Sequence, residues 1–227
     1  MKKLIDGFTL YEIILWGISV NAITVSFLIF GGASILNFTA SLIGVTSLIF
    51  CAKGDAAGQA LMIVFSLLYG LISYYTKYYG EMITYMGMTM PMAMFSLISW
   101  IRHPYKGGER QVEINSIKKT EYIFLCFLAI LVTFIFYYVL KALGTASLFF
   151  STVSVTTSFS AAYLTFRRCR TYALFYAMND VVLIILWCIA CTQDSRYISV
   201  VICFLMFLVN DIYGFYSWGR MKDRQKG

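Results

Sequence analysis

Eight separate stretches of this chain are apolar over about the 20 residues that a helix needs to cross the hydrocarbon core of a bilayer. They run Leu10–Phe30, Ile35–Ala52, Gln59–Thr76, Met82–Ile101, Tyr122–Leu140, Ser147–Phe166, Tyr172–Cys191 and Ile198–Trp218, and only the connection Arg102–Thr120 is long. Of 227 residues, 13% are charged and 60% hydrophobic, against roughly 25% charged in a soluble domain. So few charges cannot coat a soluble globule, whereas helices that satisfy their own backbone can face lipid. A transmembrane barrel would show short alternating segments. The expected fold class is therefore all-α transmembrane, with eight helices. Met1-Lys2-Lys3 is followed by a full-length apolar run without a small-residue cleavage site, and it reads as a first membrane helix rather than a leader.

Lys and Arg concentrate in cytoplasmic loops, so the basic residues set the orientation. With eight spans, one side holds Lys2, Lys3, Lys53, Arg102, Lys106, Arg110, Lys118, Lys119, Arg167, Arg168, Arg170, Arg220, Lys222, Arg224 and Lys226, and the other only Lys77, Lys141 and Arg196. The split of 15 against 3 puts both termini in the cytoplasm, which suits a bacterial plasma membrane protein. It also accounts for the net charge of +7 through topology and anionic headgroups. Nucleic acid is not an expected partner.

The fourth span ends on Ser99-Trp100-Ile-Arg102 and the eighth on Ser217-Trp218-Gly-Arg220. Each follows another helix exit, Leu48-Ile-Phe50 or Leu164-Thr-Phe166, by about fifty residues. Span number and loop lengths agree with a duplication. The expected organisation is 1+3+1+3 within a single membrane domain. It comprises an extra N-terminal helix (1–31), a three-helix repeat (32–102), a cytoplasmic loop with a linker helix (103–142) and a second three-helix repeat (143–227). One inverting linker makes the repeats parallel, an arrangement associated with transporters whose substrate sits between them near the midplane.

Polar groups within the spans are costly, roughly 2.5–3.5 kcal/mol for an Asp at a helix centre on insertion scales, and usually face a cavity. Asn179-Asp180 lies near the middle of the seventh span and Asn210-Asp211 at a similar depth in the eighth. Asn both donates and accepts, which suits the hydroxyls of a sugar or the edge of a base; the same residues also serve as interhelical bonds. Aromatic rings thicken around that depth. Tyr69, Tyr74, Tyr75, Tyr78 and Tyr79 lie on the third span and its exit; Tyr172, Phe175, Tyr176 and Trp187 on the seventh; and Tyr213 on the eighth. A planar heterocycle fits between such rings, although Tyr78, Tyr79 and Trp100 read better as interfacial anchors.

Other chemistry is disfavoured. Met82, Met86, Met88, Met90, Met92 and Met94 surround Pro91, but thioethers two residues apart point to opposite faces and cannot line one copper path. Packing around a proline kink is expected instead. Cys188-x-x-Cys191 has no partner ligands, His103 is the single histidine, and no phosphate-binding loop or nucleophile constellation is visible. No catalytic residue, metal site or cofactor is expected, and a membrane enzyme or non-transporting sensor is the disfavoured rival.

The segments Leu68-Tyr69-Gly70 through Tyr79-Gly80-Glu81, Asn179-Asp180 to Trp187, and Asn210-Asp211-Ile-Tyr213-Gly214 through Trp218 resemble the PnuC family of nicotinamide riboside, vitamin and nucleoside transporters. The resemblance covers all eight spans. It implies two three-helix bundles about a linker, related to sugar transporters of the SWEET type. It also implies facilitated diffusion, with the substrate trapped by a cytoplasmic kinase, and substrate contacts from Asn179, Asn210 and Tyr213. Nicotinamide riboside carriers of the family place a Trp-x-x-Trp pair ahead of the seventh-span Asn, where this chain has Tyr172-x-x-Phe175. Thiamine, riboflavin and deoxynucleosides therefore stay open beside nicotinamide riboside, as do proton coupling through Asp180 or Asp211 and a homo-oligomeric state. The full expected site is Asn179, Asn210, Tyr213, Tyr172, Phe175, Asp180, Asp211, Trp187 and Tyr69.

Overall fold

The computed structural model describes residues 8–30, 35–75, 79–107, 110–145, 147–192 and 194–226. Lys2, Lys3, Lys77 and Tyr78 lie outside these residues. The helices are α1 (Leu10–Phe30), α2 (Ile35–Ala52), α3 (Ala57–Tyr75), α4 (Tyr79–Arg102), α5 (Lys119–Ala142), α6 (Leu148–Phe166), α7 (Tyr172–Cys191) and α8 (Ile198–Lys226). Among the described residues, all but α6 are long and apolar enough to cross a membrane. The exception has a chemical cause: α6 carries Ser151, Thr152, Ser154, Thr156, Thr157, Ser158, Ser160 and Thr165. Most of these hydroxyls return to their own helix, as Thr152 does to the carbonyl of Leu148 (2.7 Å) and Ser160 to that of Thr156 (2.8 Å). A hydroxyl bonded four residues back costs little in lipid. The helix packs among α4, α5 and α7.

Apolar side chains face outward along α1 and α5, where Leu28, Ile29, Ile123, Phe127, Ile130 and Phe134 are exposed. In water this surface would be an aggregation face; against acyl chains it is the solvated one. Inside, one apolar cluster gathers Phe65, Leu183, Trp187, Phe204 and Phe207. A second gathers Trp100, Tyr172, Trp218 and Met221 at the opposite end of the bundle.

Two helices stop in the same way. Gly54, two residues past α2, has φ 72°, and Arg168, two residues past α6, has φ 57°. Left-handed residues of this kind end helices by turning the chain back on its last carbonyls, and here Asp55 N donates to Phe50 O and Cys169 N to Leu164 O. The long loop then spans both turns, with Val112 N donating to Gly54 O and Asn115 N to Arg168 O. Helix α8 continues past the expected Trp218 to Lys226. Gln225 fastens that extension to the loop, accepting from Ile114 N (2.8 Å) and donating to Val112 O (3.0 Å).

The two Ser-Trp-x-Arg exits meet at this end. The rings of Trp100 and Trp218 lie 5.4 Å apart. Trp100 Nε1 donates to Thr165 O at the end of α6, and Trp218 Nε1 to Cys51 O at the end of α2. Each indole thus fastens the other half of the chain.

Helix α4 holds a π-helical stretch, Thr84–Thr89, directly before Met90 and Pro91, with Met90 N donating to Tyr85 O five residues back. Pro91 has no N–H to give its own turn, and the widened turn accommodates that loss. Where the sequence predicts a proline kink, the chain forms a π-helical turn.

Small residues let α2 and α3 approach closely. Ser47 Oγ donates to Gly58 O (2.8 Å), and a Cβ on Gly58 would lie 2.6 Å from Cys51 N and 2.9 Å from Ser47 O. Backbone atoms cannot move aside cheaply, so Gly58→Ala should destabilise the protein by about 1–3 kcal/mol. A lower melting temperature in detergent is the expected result, and an unchanged one would contradict the close approach.

Candidate substrate site

Residues four and three apart share a helix face, which is how three helices aim side chains at one place. On α7 these are Tyr176, Asn179, Asp180 and Leu183; on α8, Phe204, Phe207 and Asp211; on α4, Glu81, Thr84, Tyr85 and Thr89. With Ser154 and Ser158 of α6 and Phe65 of α3, they enclose a cavity of about 50 Å³. A second cavity, of about 240 Å³, lies toward the α7–α8 turn, lined by Tyr69, Trp187, Arg196 and Tyr197 among others. Phe65, Glu81, Phe204 and Phe207 belong to both walls. The smaller space holds a water or two, far below the roughly 300 Å³ at which small-molecule pockets begin. This conformation is therefore closed around its centre.

Asn179 is held in one orientation. Its Oδ1 accepts from Ser154 Oγ and Thr157 Oγ1, both at 2.9 Å. With both acceptor positions taken, its amide donors are what it can offer a ligand. Asp180 and Asp211 sit beside one another, close enough to interact, and Asp180 Oδ2 is buried without a hydrogen-bond partner. Tyr69 and Tyr85 are 4.4 Å apart and Trp187 lies 5.2 Å from Tyr197. At the mouth of the larger cavity Asp194 pairs with Arg196, whose hydrogen bonds hold the carboxyl below the usual carboxylate range. Among the described residues, no group of three or more His, Cys, Asp or Glu is placed to hold a metal ion.

Of the nine expected residues, Asn179, Asp180, Asp211, Trp187 and Tyr69 line these two cavities. The other four lie elsewhere. Asn210 Nδ2 donates to Ser19 Oγ on α1 (2.9 Å) and to Met206 O, and Tyr213 OH donates to Glu12 Oε1 on α1 (3.0 Å). Tyr172 OH donates to Cys51 O and its ring meets Trp218 at 4.8 Å. Phe175 faces a lipid-side groove shared with α5. Sequence reasoning missed Ser154, Thr157, Tyr85 and Phe65, and it named Tyr176 among the seventh-span rings without placing it in the expected site. The density of hydroxyls on α6 was the available signal for the first two. Glu12 also had one, because Thr9-x-x-Glu12 is a capping box, with Thr9 N donating to Glu12 Oε2 (2.7 Å) and Glu12 N to Thr9 Oγ1 (3.3 Å).

Fastening α1 gives Tyr213 a structural task in this conformation. Tyr213→Phe should cost about 1 kcal/mol of stability, the usual worth of a buried hydrogen bond, with uptake retained. Loss of uptake at unchanged stability would instead place Tyr213 on the substrate.

The sequence model of the nicotinamide mononucleotide transporter family matches residues 34–220, most of the chain. The protein belongs to that family. Among its relatives is the nicotinamide riboside transporter PnuC of Neisseria mucosa, 23% identical over 230 aligned positions that cover 100% of this chain and 87% of the relative. The fold is that of a crystal structure of the vitamin B3 transporter PnuC, with a TM-score of 0.85 at 22% identity, covering 98% of this chain and 96% of that one. The helical bundle is thus a PnuC-type transporter fold. Its central cavity lies among α2, α3, α4, α6, α7 and α8.

Proposed function

We propose that this PnuC-family protein imports a nucleoside-like vitamin or precursor, nicotinamide riboside or a close relative, across a bacterial plasma membrane. The carrying observation is the small central cavity onto which Asn179, Asp180 and Asp211 open among apolar side chains, and which shares Phe65, Glu81, Phe204 and Phe207 with a larger aromatic-lined cavity. A carrier that alternates access must close around its centre, and a fixed amide there can bond ribose hydroxyls. The names of the relatives support the substrate class. Transport is facilitated diffusion, with a cytoplasmic kinase phosphorylating the product and so holding it inside. The distribution of basic residues supports a cytoplasmic setting for both termini, the long loop and the Trp100–Trp218 end.

The organisation is two parallel three-helix units joined by α5, with α1 added. Reciprocal Trp100 and Trp218 bonds and the matched left-handed turns at Gly54 and Arg168 support that reading. A second reading, proton coupling, is favoured by the adjacent Asp180 and Asp211 carboxyls, since such pairs serve as proton relays in carriers. Uptake of radiolabelled nicotinamide riboside, thiamine, riboflavin and deoxynucleosides into proteoliposomes tests both. Saturable equilibration of one of them, indifferent to a pH gradient, is expected. Concentrative uptake driven by the gradient would select the second reading, and no flux for any compound would contradict import.

A further inference from the structure

Helix α5 leans mainly on α6, which leaves a groove along its flank. The groove measures about 690 Å³, within the roughly 300–1,000 Å³ of small-molecule sites. Tyr122, Cys126, Phe134 and Tyr138 of α5 line it together with Thr156 of α6 and Phe175 of α7. Its threonines and its serine are already hydrogen-bonded. Thr133 donates to Ala129 O, Thr152 to Leu148 O, Thr156 to Thr152 O and Ser160 to Thr156 O. These residues therefore offer an occupant their methyl and methylene surface, and with the rings around them they suit hydrocarbon. A second helix would need small residues for a close approach. Phe134 and Tyr138 are instead 61% and 55% exposed and would hold a helix off.

The same face carries charge at one end. Residues three and four apart share a helix face, so Lys118 and Lys119 stand one turn before Tyr122, in line with Cys126, and both are exposed. Glu121, the acid of that turn, is paired with Arg167 and accepts from Tyr163. The excess of basic residues on one side of a membrane accounts for lysines at this depth but not for their register with a groove. Cations at a helix N-terminus also oppose its dipole, and an anion held there relieves that. We propose that the groove binds an anionic phospholipid, with its phosphate at Lys118 and Lys119 and an acyl chain lying between α5 and α6. The site is separate from both central cavities and does not depend on which compound is carried.

Native mass spectrometry of the full chain in detergent reads the site directly. The protein is titrated with phosphatidylglycerol or with phosphatidylcholine of the same acyl chains, so that only the headgroup charge differs. One phosphatidylglycerol per chain should bind about twentyfold more tightly than phosphatidylcholine, at about fivefold for each lysine beside the phosphate. The double variant Lys118→Gln, Lys119→Gln should bring the two lipids to within about twofold of one another. Cys126→Trp, at an exposed position, fills the groove. It should weaken both lipids by about tenfold, the loss of about two buried methylenes. Equal binding of the two lipids by the wild type, a preference that survives the lysine change, or binding untouched by Cys126→Trp would each overturn the proposal. So would associated chains that take up no lipid, a result that assigns the groove to a second copy.

Discussion

Asn179→Ala should lower the initial rate of substrate uptake by about ten- to a hundredfold, the loss expected when a buried hydrogen bond worth roughly 1–3 kcal/mol is removed from a bound ligand. The fold should survive. Thr157 Oγ1 also bonds the carbonyls of Val153 and Ser154 at 3.0 Å, so it keeps an acceptor when the amide is gone. Ser154 can turn its hydroxyl to its own helix, as its neighbours already do. Melting temperature in detergent should therefore move little while uptake falls. Thr157→Val should lower uptake less than Asn179→Ala, because one of the two bonds orienting the amide remains. Uptake measured alongside a melting curve checks both variants. A large fall in stability together with uptake would instead make Asn179 a structural bond between α6 and α7.

The second large effect is structural. Trp218 is fully buried and Trp100 is 2% exposed, and each crosses to the other half of the chain. Replacing either with Ala removes a buried aromatic side chain, which costs about 3–5 kcal/mol, and removes the indole hydrogen bond to the facing helix end. Either variant should accumulate poorly or melt well below the wild type. Phe substitutions separate the two contributions, since the ring stays and only the indole N–H goes. Each should cost about 1 kcal/mol. Because the rings touch, the two costs should not add, and a double-mutant cycle over Trp100→Phe and Trp218→Phe reads the coupling. Strict additivity would mean that the pair does not work as one joint.

The span pattern was legible because hydrophobic length is a local property. The π-helical stretch beside Pro91 was partly so: a proline announces a bend but not the form the chain gives it. Helix α8 runs past Trp218 because Gln225 finds Val112 and Ile114 more than a hundred residues away. No local signal carries a bond of that kind.

The site was legible in depth and not in direction. Asn210 and Asp211 are neighbours, and one residue step turns a helix by about 100°, so both cannot face the same cavity squarely. Asp211 faces the centre and Asn210 faces Ser19 of α1. Choosing between them needs the position of α1, which spacing does not give. Asn179 and Asp180 are equally adjacent, but α7 lies between α6 and α8, so both directions reach the cavity. Tyr172 shares a face with Asn179 but precedes it by seven residues, about 10 Å along the axis, and packs against Trp218 there.

Counterflow is the most direct measurement of the central claim, because it needs no ion gradient and no kinase. Proteoliposomes preloaded with unlabelled nicotinamide riboside are diluted into a trace of the labelled compound. The account predicts a transient overshoot of label inside, abolished or strongly reduced by Asn179→Ala. Label that never exceeds the passive level of protein-free vesicles would contradict it.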